Sequence, residues 1–324
     1  MGPALVLLAV LGACSGGRVE SGRPAVVATV SPITNLIENV AGSNIEITGL
    51  VPEGVNSHTF EPAPSDARVL SRAGLLFMNG FELEEPTLEL ARATLPKEAE
   101  VVALAEVTLE ELEEDPIFDF SFPRSGGHPN PHLWTNPPYA RRFAEVIRDR
   151  LAGAHPAGAE RYRRNAADLA ERIDALDRAL RVASATVPGP RRKLLTYHDS
   201  FPYFAREYGW EVVGAIQPSD FSEPTPRDVA DLIQQIQREK VPAIFGSEVF
   251  PSPVLEQIAR ETGARYVDDL RDDDLPGEPG NPGHSYLGMM TFDFSLIVES
   301  LGGDASALER LDTSNVVDGD ARYR

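Results

Sequence analysis

Six histidines occur in this chain, at 58, 128, 132, 155, 198 and 284, and three of them stand in similar surroundings. His58 lies in "VPEGVNSHTFEPAPSD", a loop after an apolar run. His132 lies in "PNPHLWTNPP", just ahead of a helical pattern, and His198 follows directly on the strand-like "KLLTY". Asp268, at the end of "ARYVDD", adds a carboxylate. Any one of these histidines reads equally as a loop residue or a satisfied polar side chain. Together, three imidazoles and a carboxylate form a coherent donor set: divalent metals of intermediate softness accept nitrogen and oxygen, and four such donors fill the tetrahedral positions of zinc with none left open.

The remaining histidines read as structural. His155 in "GAHPAG" precedes a long helix as a loop or cap residue, and His284 in "NPGHSYLGMM" lies in a turn-rich stretch before the last helix. His128, four residues before His132 in a Gly/Pro-rich loop, reads as a solvated loop residue.

The elements that would position the four donors are short β-branched runs alternating with helical patterns. "AVVATVS", "IEITGLV", "GLLFMNG" and "VVALAE" fall in the first half, "KLLTY", "EVVGAI", "PAIFGS" and "ARYVDD" in the second. Such alternation predicts an α/β protein of two lobes, each with a parallel β-sheet flanked by helices. Ligands of open parallel sheets bind beyond the carboxyl ends of strands, where His58, His198 and Asp268 would fall. Between the halves, Leu169, Ile173, Leu176, Leu180 and Ala183 are spaced by four, three, four and three residues, which predicts one long backbone α-helix joining the lobes. The expected organisation is a signal peptide and tether over 1–23, a lobe over 24–157, the linking helix over 158–187 and a second lobe over 188–324.

The chain of 324 residues is 42% hydrophobic and 25% charged, a globular composition, and its net charge of −20 disfavours nucleic acid. The apolar run "ALVLLAVLGAC" has the length of an export signal and is too short to span a bilayer. It ends at Cys14, the only cysteine, so no disulfide within the chain can form. The sequence Leu11-Gly12-Ala13-Cys14 resembles a bacterial lipobox, which implies a lipid anchor at Cys14 and an extracytoplasmic location at the membrane or in the periplasm.

Five segments in order, "SHTFEPAPSD", "PHLWTNP", "TYHDSFPYFAREYG", "EPTPRDVADLIQQIQREKVPAIFGSE" and "ARYVDDL…SYLGMM", resemble the metal-binding lipoproteins of bacterial ABC importers for zinc and manganese. The resemblance runs from about Pro24 to Gly302. It implies a two-lobed receptor, not an enzyme, that holds one divalent ion in its cleft and hands it to an ABC permease with its ATPase, as a monomer. By position the family's ligands fall on His58, His132, His198 and Asp268; Asp269, on the opposite face by strand alternation, is the alternative to Asp268.

Three departures from the family stand out: Ser57 where proline is common, Asn136 where aspartate is common, and "SGGHPNP" in place of a long histidine-rich loop. A histidine at position 198 favours Zn2+ as cargo, with Mn2+ the alternative, since three nitrogens and one carboxylate suit zinc better. Proton competition with the imidazoles is expected below about pH 6.5. Glu61, Asp199 and Glu248 are candidates for orienting the imidazoles. Two other readings are a zinc hydrolase, from the H-x-x-E spacing of His58 and Glu61, and an adhesin-like surface lipoprotein with a structural metal. The hydrolase is disfavoured because four protein ligands leave no position for an activated water.

Overall fold

The computed structural model describes residues 23–217, 224–247 and 252–324. Cys14 and Glu248 lie outside the described residues. Each of the eight apolar runs contains a strand or overlaps most of one. β1 (Ala25–Ala28), β2 (Glu46–Gly49), β3 (Leu75–Met78) and β4 (Glu100–Ala103) form one parallel sheet in the order β2-β1-β3-β4. β5 (Lys193–Thr196), β6 (Glu211–Ala215), β7 (Ala243–Ser247) and β8 (Arg265–Leu270) form the second in the order β6-β5-β7-β8. The central strands are buried on both faces, as helices covering a parallel sheet require: all four residues of β3 and all five of β7 are buried. Strand order reverses beside β1 in the first sheet and beside β5 in the second, which opens a crevice at the carboxyl end of each.

The long helix spans Ala159–Thr186, 28 residues or about 42 Å at 1.5 Å per residue. Leu169, Ile173, Leu176, Leu180 and Ala183 are all buried, the stripe read from the sequence. This stripe joins one continuous core that runs from Val26 and Leu36 in the first lobe to Phe204, Phe294 and Leu308 in the second. Apolar packing therefore crosses the junction between the lobes.

The end of the chain returns to the first lobe. Arg322 pairs in parallel with Thr48 of β2; its N–H donates to Ile47 O at 3.0 Å and its carbonyl accepts from Gly49 N at 2.9 Å. The Tyr323 hydroxyl donates to the buried Glu38 at 2.7 Å, and Arg324 pairs with the buried Asp66. Residues 315–324 thus pack on the first lobe although they follow the second in sequence.

Candidate metal centre

His58 sits in the short turn Ser57–Thr59, where the Asn56 side chain accepts the His58 N–H at 2.8 Å. His132 immediately precedes the turn Leu133–Thr135, which leads into the helix Pro137–Ala154; Asn136 caps that helix, with proline at its first turn. His198 follows β5, at the crevice of the second sheet.

The three rings meet at their Nε2 atoms. His58 Nε2 lies 3.0 Å from His132 Nε2, and His132 Nε2 lies 3.2 Å from His198 Nε2. His132 is fully buried and His198 is 2% exposed. Burial, and then the neighbouring imidazoles, hold the His58 and His132 pKa values well below the usual histidine range; burial also lowers His198, against the pull of Asp272. Three neutral imidazoles with converging lone pairs are a ready cation site.

The carboxylates come from a different place than strand reading puts them. β8 pairs Phe245 with Val267 but Ser247 with Leu270, so β8 carries one extra residue, a bulge. The bulge breaks the alternation, and Asp268 and Asp269 are both exposed on β8. The chain enters the cleft only beyond β8, where Asp272, Asp273 and Asp274 are all buried. Asp272 Oδ2 lies 3.3 Å from His198 Nδ1 and accepts the Ser200 hydroxyl; the Trp134 indole fixes the Asp272 carbonyl at 2.9 Å. Asp273 Oδ2 accepts the Ser57 hydroxyl at 2.7 Å. Asp272 Oδ1 and Asp273 Oδ1 are buried and accept no hydrogen bond. Burial and the adjacent Asp272 push the Asp273 carboxyl well above the usual carboxylate range. Burying a carboxylate without a partner is costly, and a divalent cation beside it removes that cost. The buried carboxylates gathered with His198 are thus those of Asp272 and Asp273, while Asp268 is exposed. The signal in the sequence was the run "DDLRDDD", which cannot say which of its five aspartates turns inward.

Of the candidates for orienting the rings, Glu61 is exposed. Asp199 is buried, and its main-chain carbonyl, not its carboxylate, faces the His132 ring. Burial and the neighbouring Asp119 keep the Asp199 carboxyl well above its ordinary range. The acceptor for His132 Nδ1 is Asn130 Oδ1, at 2.9 Å, which the sequence reading did not single out. Phe122 covers the centre, its ring centroid 5.9 Å from that of His58 and 6.0 Å from that of His132. His128 is half exposed and meets Glu82 at 2.6 Å. His155 caps the helix Pro137–Ala154 at its carboxyl end, and His284 is buried against the edge of Tyr323.

A two-lobed α/β fold with three converging imidazoles and buried carboxylates in the cleft defines a metal-binding receptor. The chain belongs to the family of the zinc-uptake complex component A, periplasmic, whose model matches residues 26–300. It is 30% identical over 277 residues to the iron-binding protein YfeA of Yersinia pestis, covering 86% of each chain. It is 27% identical to the manganese ABC transporter substrate-binding lipoprotein PsaA of Streptococcus anginosus, covering 89% of this chain and 94% of that one. The periplasmic zinc-binding protein TroA of Treponema pallidum superposes with a TM-score of 0.78 at 27% identity, covering 86% of this chain and 99% of that one. The protein is thus an extracytoplasmic metal-binding substrate receptor of an ABC importer and not an enzyme. Among the described residues no helix is long and apolar enough to cross a membrane.

Proposed function

We propose that this receptor carries zinc, bound by Nε2 of His58, His132 and His198 together with the Asp273 carboxylate. Asp272 orients His198 through Nδ1, the carboxylate–histidine–metal arrangement that raises ligand basicity. The observation that carries the reading is the convergence of three Nε2 atoms, the His58–His132 pair 3.0 Å and the His132–His198 pair 3.2 Å apart, with the buried Asp272 and Asp273 carboxylates gathered at His198. Three nitrogens and one oxygen complete a zinc tetrahedron, which suits storage and handover and leaves no position for an activated water.

The ligands divide between the lobes, His58 and His132 in residues 24–157, His198 and Asp273 in residues 188–324. A permease that binds both lobes and draws them apart would release the ion. The protein acts as a monomer tethered by lipid at Cys14, with the permease and its ATPase as partners. Manganese is the second reading, favoured by Asp272: were both carboxylates to bind the ion, the oxygen count would rise toward what manganese prefers. Relatives named for manganese and iron keep it open.

Competition titration of metal-stripped residues 24–324 with zinc and manganese at neutral pH decides between them. One zinc bound far more tightly than manganese supports the proposal. Manganese of equal or greater affinity assigns the second reading, and no stoichiometric binding of either sinks both.

A further inference from the structure

Asn130 is fully buried at the junction of the two lobes, and every polar atom of its amide is engaged. Nδ2 donates to Asp119 Oδ2 at 2.6 Å and to the Asp199 carbonyl at 2.7 Å. Oδ1 accepts the main-chain N–H of His132 at 2.9 Å and lies 2.9 Å from His132 Nδ1. The main chain of Asn130 is fixed as well: its N–H donates to Ile117 O at 2.9 Å, and its carbonyl accepts the Tyr203 hydroxyl at 2.9 Å.

These partners leave the amide one orientation. Two acceptors, a carboxylate and a carbonyl, demand the NH2 group on one side, and a main-chain N–H demands the oxygen on the other. An oxygen facing His132 Nδ1 requires a proton on that nitrogen. In the neutral imidazole the lone pair then belongs to Nε2, the atom that meets His58 and His198.

We propose that Asn130 is the positioning residue of the centre: it sets the tautomer of His132 so that Nε2 faces the cation, and it ties that ring to the other lobe and to the cover. The tie to the other lobe is the Asp199 carbonyl, one residue after His198. The tie to the cover is Asp119, whose Oδ1 also accepts the N–H groups of Ser121 and Phe122, the residue whose ring lies over His58 and His132. A single amide thus joins a ligand of the first lobe, the neighbour of a ligand in the second, and the aromatic cover. The proposal rests on the receptor reading above only for the identity of what Nε2 faces.

The test is a long-range proton–nitrogen NMR spectrum of the metal-stripped protein with 15N-labelled histidine, the His132 signals assigned from His132→Gln, combined with zinc titration. Wild type is expected to show His132 protonated at Nδ1. Asn130→Leu, which keeps the volume and removes both functions, should lose that signature and bind zinc about 10–100-fold more weakly. Asn130→Asp keeps the acceptor and, with its other oxygen protonated to donate to Asp119 or the Asp199 carbonyl, should keep the signature, even if Asn130→Leu does not fold. An Nε2–H tautomer in wild type, loss of the signature in Asn130→Asp, or an unchanged tautomer and affinity in Asn130→Leu overturns the proposal. Failure of wild type to bind zinc would sink the zinc reading and leave the tautomer assignment standing.

Discussion

The Ser57 hydroxyl donates to Asp273 Oδ2 at 2.7 Å, across 216 positions of sequence and across the cleft. Ser57 adjoins His58, so one hydrogen bond links the residue beside a first-lobe histidine of the centre to a carboxylate of the second lobe. It also holds Asp273 with its other oxygen, Oδ1, buried and without a hydrogen bond.

Asp273→Ala is therefore expected to weaken zinc binding by roughly 100-fold or more, beyond the loss that follows removal of an outer partner. Asp268→Ala, on the exposed face of β8, should leave affinity unchanged. Isothermal titration of both variants checks this. Equal losses would show that the loop beyond β8 does not supply the ligand. His128→Ala, which removes a half-exposed ring paired with Glu82, should bind as wild type does.

The pH dependence of binding follows from opposed shifts. The imidazoles are held below the usual histidine range by burial, so they stay neutral at neutral pH and into mild acid, and the window expected from the sequence, below about pH 6.5, moves down for them. Asp273 is shifted upward, so its proton competes with the cation above the ordinary carboxylate range. Zinc affinity measured from pH 7.5 to 5 should fall as the pH drops, and Asp273→Asn, weaker at pH 7.5, should fall less steeply. Parallel slopes would assign the competition to the histidines.

Glu84 gives a separate signature, in stability. It is 3% exposed, and burial raises its pKa from 4.5 to about 7 although Thr29, Asn79 N and Gly80 N donate to it. A folded-state pKa above the unfolded value means that the folded protein binds more protons between those limits, so stability falls as pH rises from 4.5 to 7. The contribution is about 3 kcal/mol across the window. In the metal-stripped protein, Glu84→Gln should flatten that part of the denaturant-derived stability profile. A slope unchanged by the substitution would place the titration elsewhere.

The sequence carried the framework because each of its signals is local. The eight strands are short apolar runs bounded by turn residues, and the stripe Leu169 to Ala183 marks the helix Ala159–Thr186 within a residue at each end of the expected span. The histidines were legible because each stands at the end of an element. The exposure of Asp268 was not legible, because a one-residue bulge opposite Phe245 and Ser247 is invisible to strand alternation. Asn130 was invisible for another reason: its role comes from Asp119, Asp199 and His132 meeting around it, and Asn-Pro ahead of a histidine reads as an ordinary turn. The return of Arg322 to β2 is equally non-local, since "ARYR" has no strand pattern of its own.

That return limits how far the lobes can move. The helix Ala159–Thr186 contributes to a core shared by both lobes, and residues 315–324 add a second, hydrogen-bonded tie from the second lobe to the first. A wide hinge would have to shear that core and peel Arg322 from β2. Loading should therefore proceed by small shifts of lobes and loops, of the order of 1–2 Å. Small-angle scattering of zinc-loaded and metal-stripped protein should differ in radius of gyration by no more than this; a difference of several ångströms would sink the idea. Ending the chain after Ser314 removes the main-chain bonds of Arg322 to Ile47 and Gly49 and the donation of Glu53 N to Arg324 O, and strands the buried Asp66 without Arg324. At about 1 kcal/mol for each of these three main-chain hydrogen bonds, before the side-chain bonds of residues 315–324 to Asn35, Glu38, Asn39 and Asp66 are counted, the truncated protein should lose at least about 3 kcal/mol in denaturant unfolding. Its two metal states should also differ more in size than those of the full chain, because only the helix then resists the opening.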